Sequence, residues 1–274
     1  MSEENKDSHS DELSLISIPS DYNPAGGTAS IRKLIEDSRA PFCLVPNDIA
    51  ASTTPEGYTR YLTQTDDGRV LLYDSSKVTP TKIAVDSNDT NDLLVLAGLT
   101  VATSVLHVRV ERKFTLVSWR AVLFSEPLYI VVQKIVRYIH QVIEVTGNPV
   151  VAVGDVPVEH RSEIQRALTQ QCRLHDQLFL EKVHPNTCDA VSTIPSLTQL
   201  IMKPLKDLKT LRFGHFSNGN FDNFDCVITS RIVQPDVQPF FSDLNSSSVV
   251  KPFPYLPIKA SLHVPARITS FTGS

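Results

Sequence analysis

The clearest hydrophobic pattern in the chain predicts an amphipathic helix that begins near Pro127 and ends at Gly147. Apolar residues recur there in steps of three and four, the period of one buried helical face: Leu128, Val131, Val132, Ile135, Ile139, Val142 and Ile143. Proline suits the first turn because its missing N–H has no helical acceptor there. Gly147 favours a helix end, and Pro149 opposes continuation.

The pattern then changes to a short apolar run, a turn and a second helix. Residues 150–153 predict a buried strand, Gly154 opens the turn, and the helix extends to about Cys172. Residues 178–183 predict the next strand. A helix–strand–helix–strand order is typical of an α/β layer with a parallel sheet.

The preceding part of the chain is rich in predicted strands. Asp66-Asp67-Gly68 separates two β-rich runs and indicates a hairpin, because such turns need positive φ. Residues 93–102 are almost wholly apolar, and residues 106–113 alternate between apolar and polar, as a strand with one exposed face does. The fold class predicted is therefore mixed α/β.

Four segments follow from these patterns. Residues 1–22 are expected to be a disordered acidic tail, and residues 23–124 a β-rich portion. Residues 125–232 are expected to form an α/β portion that shares a core with the part before it. Residues 233–274 contain many prolines between aromatic residues, and are expected to lie as a strap across the domain or to dock on another chain.

Composition limits the classes of protein to which the chain could belong. Of its 274 residues, 41% are hydrophobic and 20% charged, which predicts a folded chain. It begins with polar and acidic residues rather than a secretory signal, has no apolar run that could span a membrane, and contains four widely spaced cysteines. An intracellular protein, cytoplasmic or nuclear, with reduced thiols is expected.

Three acidic residues are candidates for ligand binding. Asp155 follows Gly154 at the end of a predicted strand, Glu181 lies in the next predicted strand, and Asp225 precedes a later one. Ligands of open α/β sheets bind beyond the carboxyl ends of the strands. This arrangement resembles that of Rossmann-type methyltransferases, although Asp155-Val156-Pro157 stands where that family has a glycine-rich turn, and Asp155 could equally be a helix cap.

Two basic clusters are candidates for a nucleic-acid-binding surface. The first consists of Arg109, Arg112, Lys113 and Arg120, and the second of Lys203, Lys206, Lys209 and Arg212. Both could also be ordinary solvated faces of a strand and a helix. A net charge of −4 means that any nucleic-acid binding would depend on such local patches.

No complete catalytic motif or metal-ligand spacing is present in the sequence, so catalytic residues, a metal and a cofactor are not expected. The favoured hypothesis is a non-enzymatic interaction or assembly subunit of an intracellular complex, with protein partners bound through the acidic tail or the C-terminal strap. The alternatives are a Rossmann-like nucleoside-cofactor enzyme, such as a degenerate methyltransferase, and a nucleic-acid-associated protein, including one of viral origin.

Overall fold

A computed structural model describes residues 12–19, 22, 24, 26–61, 69–83, 93–105, 108–119, 127–154, 166, 169–170, 207–213, 226–240 and 257–271. The helices are α1 (Gly27–Ser38), α2 (Asn47–Thr53) and α3 (Leu128–Thr146). The strands are β1 (Glu12–Ser17), β2 (Phe42–Pro46), β3 (Tyr58–Tyr61), β4 (Arg69–Asp74), β5 (Val78–Thr81), β6 (Leu93–Val105), β7 (Val108–Trp119), β8 (Val150–Gly154), β9 (Leu211–Phe213), β10 (Cys226–Ser230), β11 (Gln234–Pro239), β12 (Ile258–His263) and β13 (Ala266–Phe271).

The described strands form two mixed sheets. The first sheet has the order β11-β12-β1-β2-β4-β3, and the second β5-β6-β7-β8-β10-β9, with β13 also paired to β7. β1 and β2 are parallel, as are β7 and β8, and the other described pairs are antiparallel. Because these sheets occur together with helices, the predicted mixed α/β class is confirmed.

The two sheets bury a common apolar core. The rings of Phe42 in β2 and Phe114 in β7 lie 5.5 Å apart between centroids. Buried residues from both sheets, among them Leu44 and Val151, belong to the same hydrophobic cluster. Packing of two sheets through their inner faces gives a sandwich, and this core orients the strands of one sheet relative to the other.

Helix α3 covers a face of the second sheet through a separate cluster, as its periodicity predicts. Val132, Ile139 and Val142 are buried there against residues of β7 and β8. The helix ends at Gly147, whose φ of 62° is favourable for glycine and whose N–H donates to Ile143 O at 2.8 Å. No described helix is long and apolar enough to cross a membrane.

The expected tail of residues 1–22 is wrong for its second half. Glu12–Ser17 is β1, which pairs with β12 on one side and β2 on the other. Leu15 and Ile16 are fully buried. Burial of the apolar residues after the acidic stretch contributes more favourable free energy than burial of the neighbouring polar residues costs. This segment is therefore a central strand.

The expected C-terminal strap also needs correction in its described parts. β11 and β12 are hydrogen-bonded strands of the first sheet, and β13 pairs with β7 of the second sheet. β11 contains Pro235 and Pro239, and as the first strand in the order of its sheet it lies at an edge, where proline is tolerated. The proline-rich residues 252–256 lie outside the described part of the chain.

The short connections between the two sheets lie at one end of the sandwich, which we call the linked end. Residues 75–77, 231–233 and 264–265 connect β4 to β5, β10 to β11, and β12 to β13. On the first sheet, β4 ends beside the first residues of β2, and Gln234 and His263 lie level with Glu12 at the start of β1. The linked end is therefore where β1 and β2 begin.

In the second sheet, strand β8 also begins at the linked end. Ser230, at the end of β10, accepts a hydrogen bond from Val150 N–H at 3.0 Å through its hydroxyl, so the connection to β11 leaves from the start of β8. β1, β2 and β8 thus all begin at the linked end. They end together at the opposite end, at Ser17, Pro46 and Gly154, which we call the carboxyl end.

Candidate functional site

The carboxyl end is the candidate functional site, because parallel strands of both sheets end there. Ligands of open α/β sheets bind outside the carboxyl ends of the strands. The linked end is occupied by the short connections between the sheets, whereas at the carboxyl end β2 continues directly into α2.

On the second sheet, Gly154 lies between two strands and against an aromatic ring. It pairs with Trp119, the last residue of β7, and with Cys226, the first residue of β10. A Cβ atom at position 154 would overlap the indole ring of Trp119, which is 2% exposed. Glycine is therefore needed for the close approach of ring and backbone where β8 ends.

On the first sheet, Arg69 lies where β1, β2 and β4 meet. Its Nη1 donates a hydrogen bond of 2.7 Å to Ser17 Oγ, and both side chains are buried. Arg69 begins β4 and pairs with Pro46, which ends β2. The carboxyl end of the first sheet thus contains a buried positive charge.

Of the four residues predicted to bind a ligand, the structure describes Gly154. Gly154 is described and lies at the carboxyl end, as expected for the end of a buried strand. Asp155, Glu181 and Asp225 lie outside the described residues. Gly154 and Cys226, the chain neighbours of Asp155 and Asp225, are directly paired across β8 and β10.

The first basic cluster does not form a single exposed surface. Arg109 and Arg112 lie in the half of β7 toward the linked end, and Arg112 is 3% exposed. Arg112 is on the same side of the strand as Phe114, which faces the core, whereas the neighbouring Lys113 is exposed and lies 3.8 Å from the Glu111 carboxylate. The expectation that Arg112 contacts nucleic acid is wrong for this structure, and Arg120 lies outside the described residues.

The second basic cluster is described only in part. Lys203 and Lys206 lie outside the described residues. Lys209 Nζ lies 3.5 Å from Glu144 Oε1 of α3, which makes it part of a surface ion pair. Arg212 is exposed on β9, and remains a candidate contact for an anionic ligand.

Groups with shifted pKa values lie at both ends of the sandwich. Burial raises the pKa of Tyr22, which follows β1, and of Tyr61, which ends β3, and both lie toward the carboxyl end. Burial raises the pKa of the Cys43 thiol, in the second residue of β2. Burial, with smaller contributions from Cys43 and Asp74, raises the pKa of Tyr58, whose hydroxyl donates to Ala40 O. Tyr58 pairs with Asp74 toward the linked end, so the shifts of Cys43 and Tyr58 reflect packing there rather than chemistry at the candidate site.

Sequence reasoning missed Arg69, Ser17 and Trp119 as residues of this end. Arg69 directly follows the predicted hairpin turn, and Trp119 lies in a predicted strand, so both had a local signal. Neither signal indicates which end of a sandwich a residue occupies, because that depends on pairing between distant strands. Among the described residues, no group of three or more His, Cys, Asp or Glu side chains could hold a metal ion.

Comparison with known proteins gives matches at the level of solved structures alone. No family model and no curated protein sequence matches the chain. An endonuclease/exonuclease/phosphatase family protein from Bacteroides thetaiotaomicron matches with TM-score 0.46 and 11% identity, over 92% of this chain and 94% of its own. TDP2 from D. rerio, complexed with a single-strand DNA product, matches with TM-score 0.44 and 12% identity, over 92% and 98%.

A third match is ANGEL2, described as a 2′,3′-cyclic phosphatase, with TM-score 0.43 and 14% identity, over 92% of this chain and 95% of its own. At such low identities and TM-scores, these likenesses assign no role to any residue of this chain. The hypothesis of a non-enzymatic interaction or assembly subunit is nevertheless contradicted, because the matched structures that are named by activity are enzymes.

The resemblance to Rossmann-type methyltransferases is also wrong in its strand arrangement. Asp225 is predicted to lie near a later strand, and in a Rossmann-type sheet that strand would be parallel to the one before Asp155. β10, which begins at Cys226, is instead antiparallel to β8. The start of β10, not its carboxyl end, therefore adjoins Gly154, which differs from a crevice between parallel strands.

Proposed function

We propose that this protein binds a nucleic acid or nucleotide at the carboxyl end of its sandwich and hydrolyses a phosphate ester there. The observation that carries the proposal is the pairing of Gly154 with Cys226. Asp155 follows Gly154 in the chain, and Asp225 precedes Cys226. The pairing of their neighbours supports a site in which these two carboxylates act together.

Two carboxylates are a suitable donor set for a small divalent cation. Mg²⁺ is usually held by one or two carboxylates, with substrate phosphates and waters completing its coordination. On the first sheet, β1 leads into Pro19 and β2 ends at Pro46, and neither residue has a metal-binding side chain. The acids Asp21 and Asp48 follow two residues after these prolines. We choose Asp155 and Asp225 as the donors because their chain neighbours Gly154 and Cys226 are directly paired.

The other residues of the carboxyl end favour binding of an anionic ligand and hold the start of the proposed site in a fixed position. A bound divalent cation supplies charge stabilisation to a phosphoryl group. Gly154 lets the backbone lie against Trp119, which anchors the start of the segment that carries Asp155. On the other sheet of the same end, Arg69 is held by its hydrogen bond to Ser17.

The test is a hydrolysis assay with single-stranded DNA, single-stranded RNA and a nucleotide in the presence of Mg²⁺ or Mn²⁺. Asp155→Asn and Asp225→Asn should each lower kcat/KM by about 100-fold or more, as expected for loss of a group that stabilises the transition state. Lys77→Ala, which changes an exposed residue of the β4–β5 connection at the linked end, serves as the control and should keep most of the activity. No hydrolysis by the wild type, or equal hydrolysis by the Asp155→Asn variant, would count against the proposal.

Binding of nucleic acid without hydrolysis is a second candidate, favoured by Pro19 and Pro46. Both follow or end parallel strands at the carboxyl end, where an enzyme could otherwise place acidic or polar groups. In that case a labelled oligonucleotide should bind with an affinity that falls steeply with salt, while no product forms. Glu181, expected as a further ligand residue, is tested in the same assay by a Glu181→Gln variant.

A further inference from the structure

Trp119 lies against the end of β8, at the point from which the chain continues to Asp155. Three atoms of its indole ring occupy the space of a Cβ atom at position 154, so the ring lies directly on the backbone of Gly154. The two residues also pair in parallel register. The end of β8 is therefore held both by its pairing with β7 and by the ring.

The ring is itself held in place by the helix layer. Trp119 is 2% exposed and belongs to the cluster that α3 covers, together with Ile139 and Val142. Close packing of a protein interior leaves a large side chain few alternative positions. The ring therefore has little room to move unless α3 moves with it.

We propose that Trp119 is a positioning residue for the metal ion of the proposed site. The ring sets where the chain leaves β8, and so where the Asp155 carboxylate lies relative to that of Asp225. Binding sites need their ligating groups held to within about 0.5 Å, and Mg²⁺ in particular requires nearly octahedral geometry. Trp119 acts through the backbone of Gly154 rather than through contact with the ion, because its side chain is closed to solvent.

This inference deepens the proposed function and rests on it for the ion and for the role of Asp155. The readout is the affinity for Mn²⁺, measured by calorimetry on folded protein without substrate. Trp119→Ala removes the ring and should weaken Mn²⁺ binding by at least about tenfold, which is about 1.4 kcal/mol. Trp119→Phe keeps an aromatic ring in this position and should bind Mn²⁺ within about threefold of the wild type.

Val117→Ala is the matched control for loss of packing. Val117 is fully buried in the same cluster and lies two residues before Trp119 in β7. It pairs with Ala152 inside β8 rather than with Gly154 at its end. Val117→Ala should lower the midpoint of chemical denaturation, as Trp119→Ala does, but keep the Mn²⁺ affinity within about twofold of the wild type, because the cavity lies away from the strand end.

Equal Mn²⁺ affinities of the Trp119→Ala and Val117→Ala variants would overturn the inference. Weaker Mn²⁺ binding by Asp155→Asn, together with wild-type affinity in Trp119→Ala, would refute the inference and leave the proposed function standing. Wild-type protein that does not bind Mn²⁺ would refute both.

A second measurement needs no variant, in case Trp119→Ala does not fold. Trp119 is the one tryptophan in the chain, and paramagnetic Mn²⁺ quenches the fluorescence of a nearby indole. Titration of the wild type with Mn²⁺ should quench this fluorescence to saturation, with a midpoint that agrees with the calorimetric Kd. Mn²⁺ that binds without changing the fluorescence would overturn the inference.

Discussion

The indole ring of Trp119 occupies the space in which a Cβ atom of residue 154 would lie, so that Gly154 and Trp119 are packed as a unit at the carboxyl end. Trp119 ends β7 and Gly154 ends β8, and the two residues pair in parallel register. The tryptophan also belongs to the cluster covered by α3. The contact therefore joins the helix layer to the end of β8, which directly precedes Asp155 in the chain.

Gly154→Ala should destabilise the protein by about 1–3 kcal/mol, because the added methyl group must displace the ring or the strand. Chemical denaturation measures this loss. The same substitution in a Trp119→Ala background should cost at least about 1 kcal/mol less, since the overlap is then relieved. Equal costs in both backgrounds would show that the ring is not the reason for glycine at this position.

Ile16→Ala in β1 should cost about 2–5 kcal/mol of unfolding free energy, the range for removing a large aliphatic side chain from a core. Ile16 is fully buried between strands β12 and β2. Val145→Ala is the control, because that side chain on α3 is 60% exposed and should change stability by less than about 0.5 kcal/mol. Similar small effects of both substitutions would restore the interpretation of this segment as a mobile tail.

Asp74→Asn should remove a contribution to stability that depends on pH. Burial tends to raise the pKa of Asp74, but hydrogen bonds from Ser76 and Lys77 outweigh it and hold the pKa below its ordinary value of 3.8. Since the folded state has the lower pKa, the contribution is present above about pH 3.8 and is lost as pH falls through the folded pKa. The wild type should thus be more stable than the variant by roughly 0.5–1 kcal/mol at pH 7.

Unfolding free energies of the two proteins, measured between pH 7 and pH 2, check this. The difference between them should shrink on acidification. Ser52→Ala is the control. The exposed Ser52 hydroxyl donates a hydrogen bond to Ile49 O, which involves no titratable group, so the effect of this substitution on stability should be independent of pH. A constant difference between wild type and Asp74→Asn would mean that the carboxylate is not stabilised in the folded state.

The sequence predicted those parts of the structure whose signal is local. α3 follows from its apolar spacing and from Gly147 at its end, and the β3–β4 hairpin from Asp66-Asp67-Gly68. β1 was missed because acidic residues dominate the composition around it, although Leu15 and Ile16 carry the signal of a buried strand. The average composition of a segment indicates how polar it is. Whether the segment is buried depends on its pairing with strands that are distant in the sequence.

At the candidate site, too, features with a local sequence signal could be predicted and contacts between distant residues could not. Gly154 at the end of a buried strand could be predicted, because the apolar run and the glycine are adjacent in sequence. The contact of Arg69 with Ser17 joins residues that are 52 positions apart, and the pairing of Gly154 with Cys226 joins β8 to a distant strand. No periodicity within one segment contains that information, since it is set by the order of strands in the two sheets.

The most direct test of the central claim is a double-mutant cycle on Mn²⁺ binding with Asp155→Asn, Asp225→Asn and the double variant, followed by calorimetry. If the two carboxylates hold one ion at the carboxyl end, each single variant should lose most of the affinity and the double variant little more, with a coupling energy of at least about 1 kcal/mol. Independent and additive losses, or Mn²⁺ binding that neither substitution changes, would contradict a shared site and with it the proposed function.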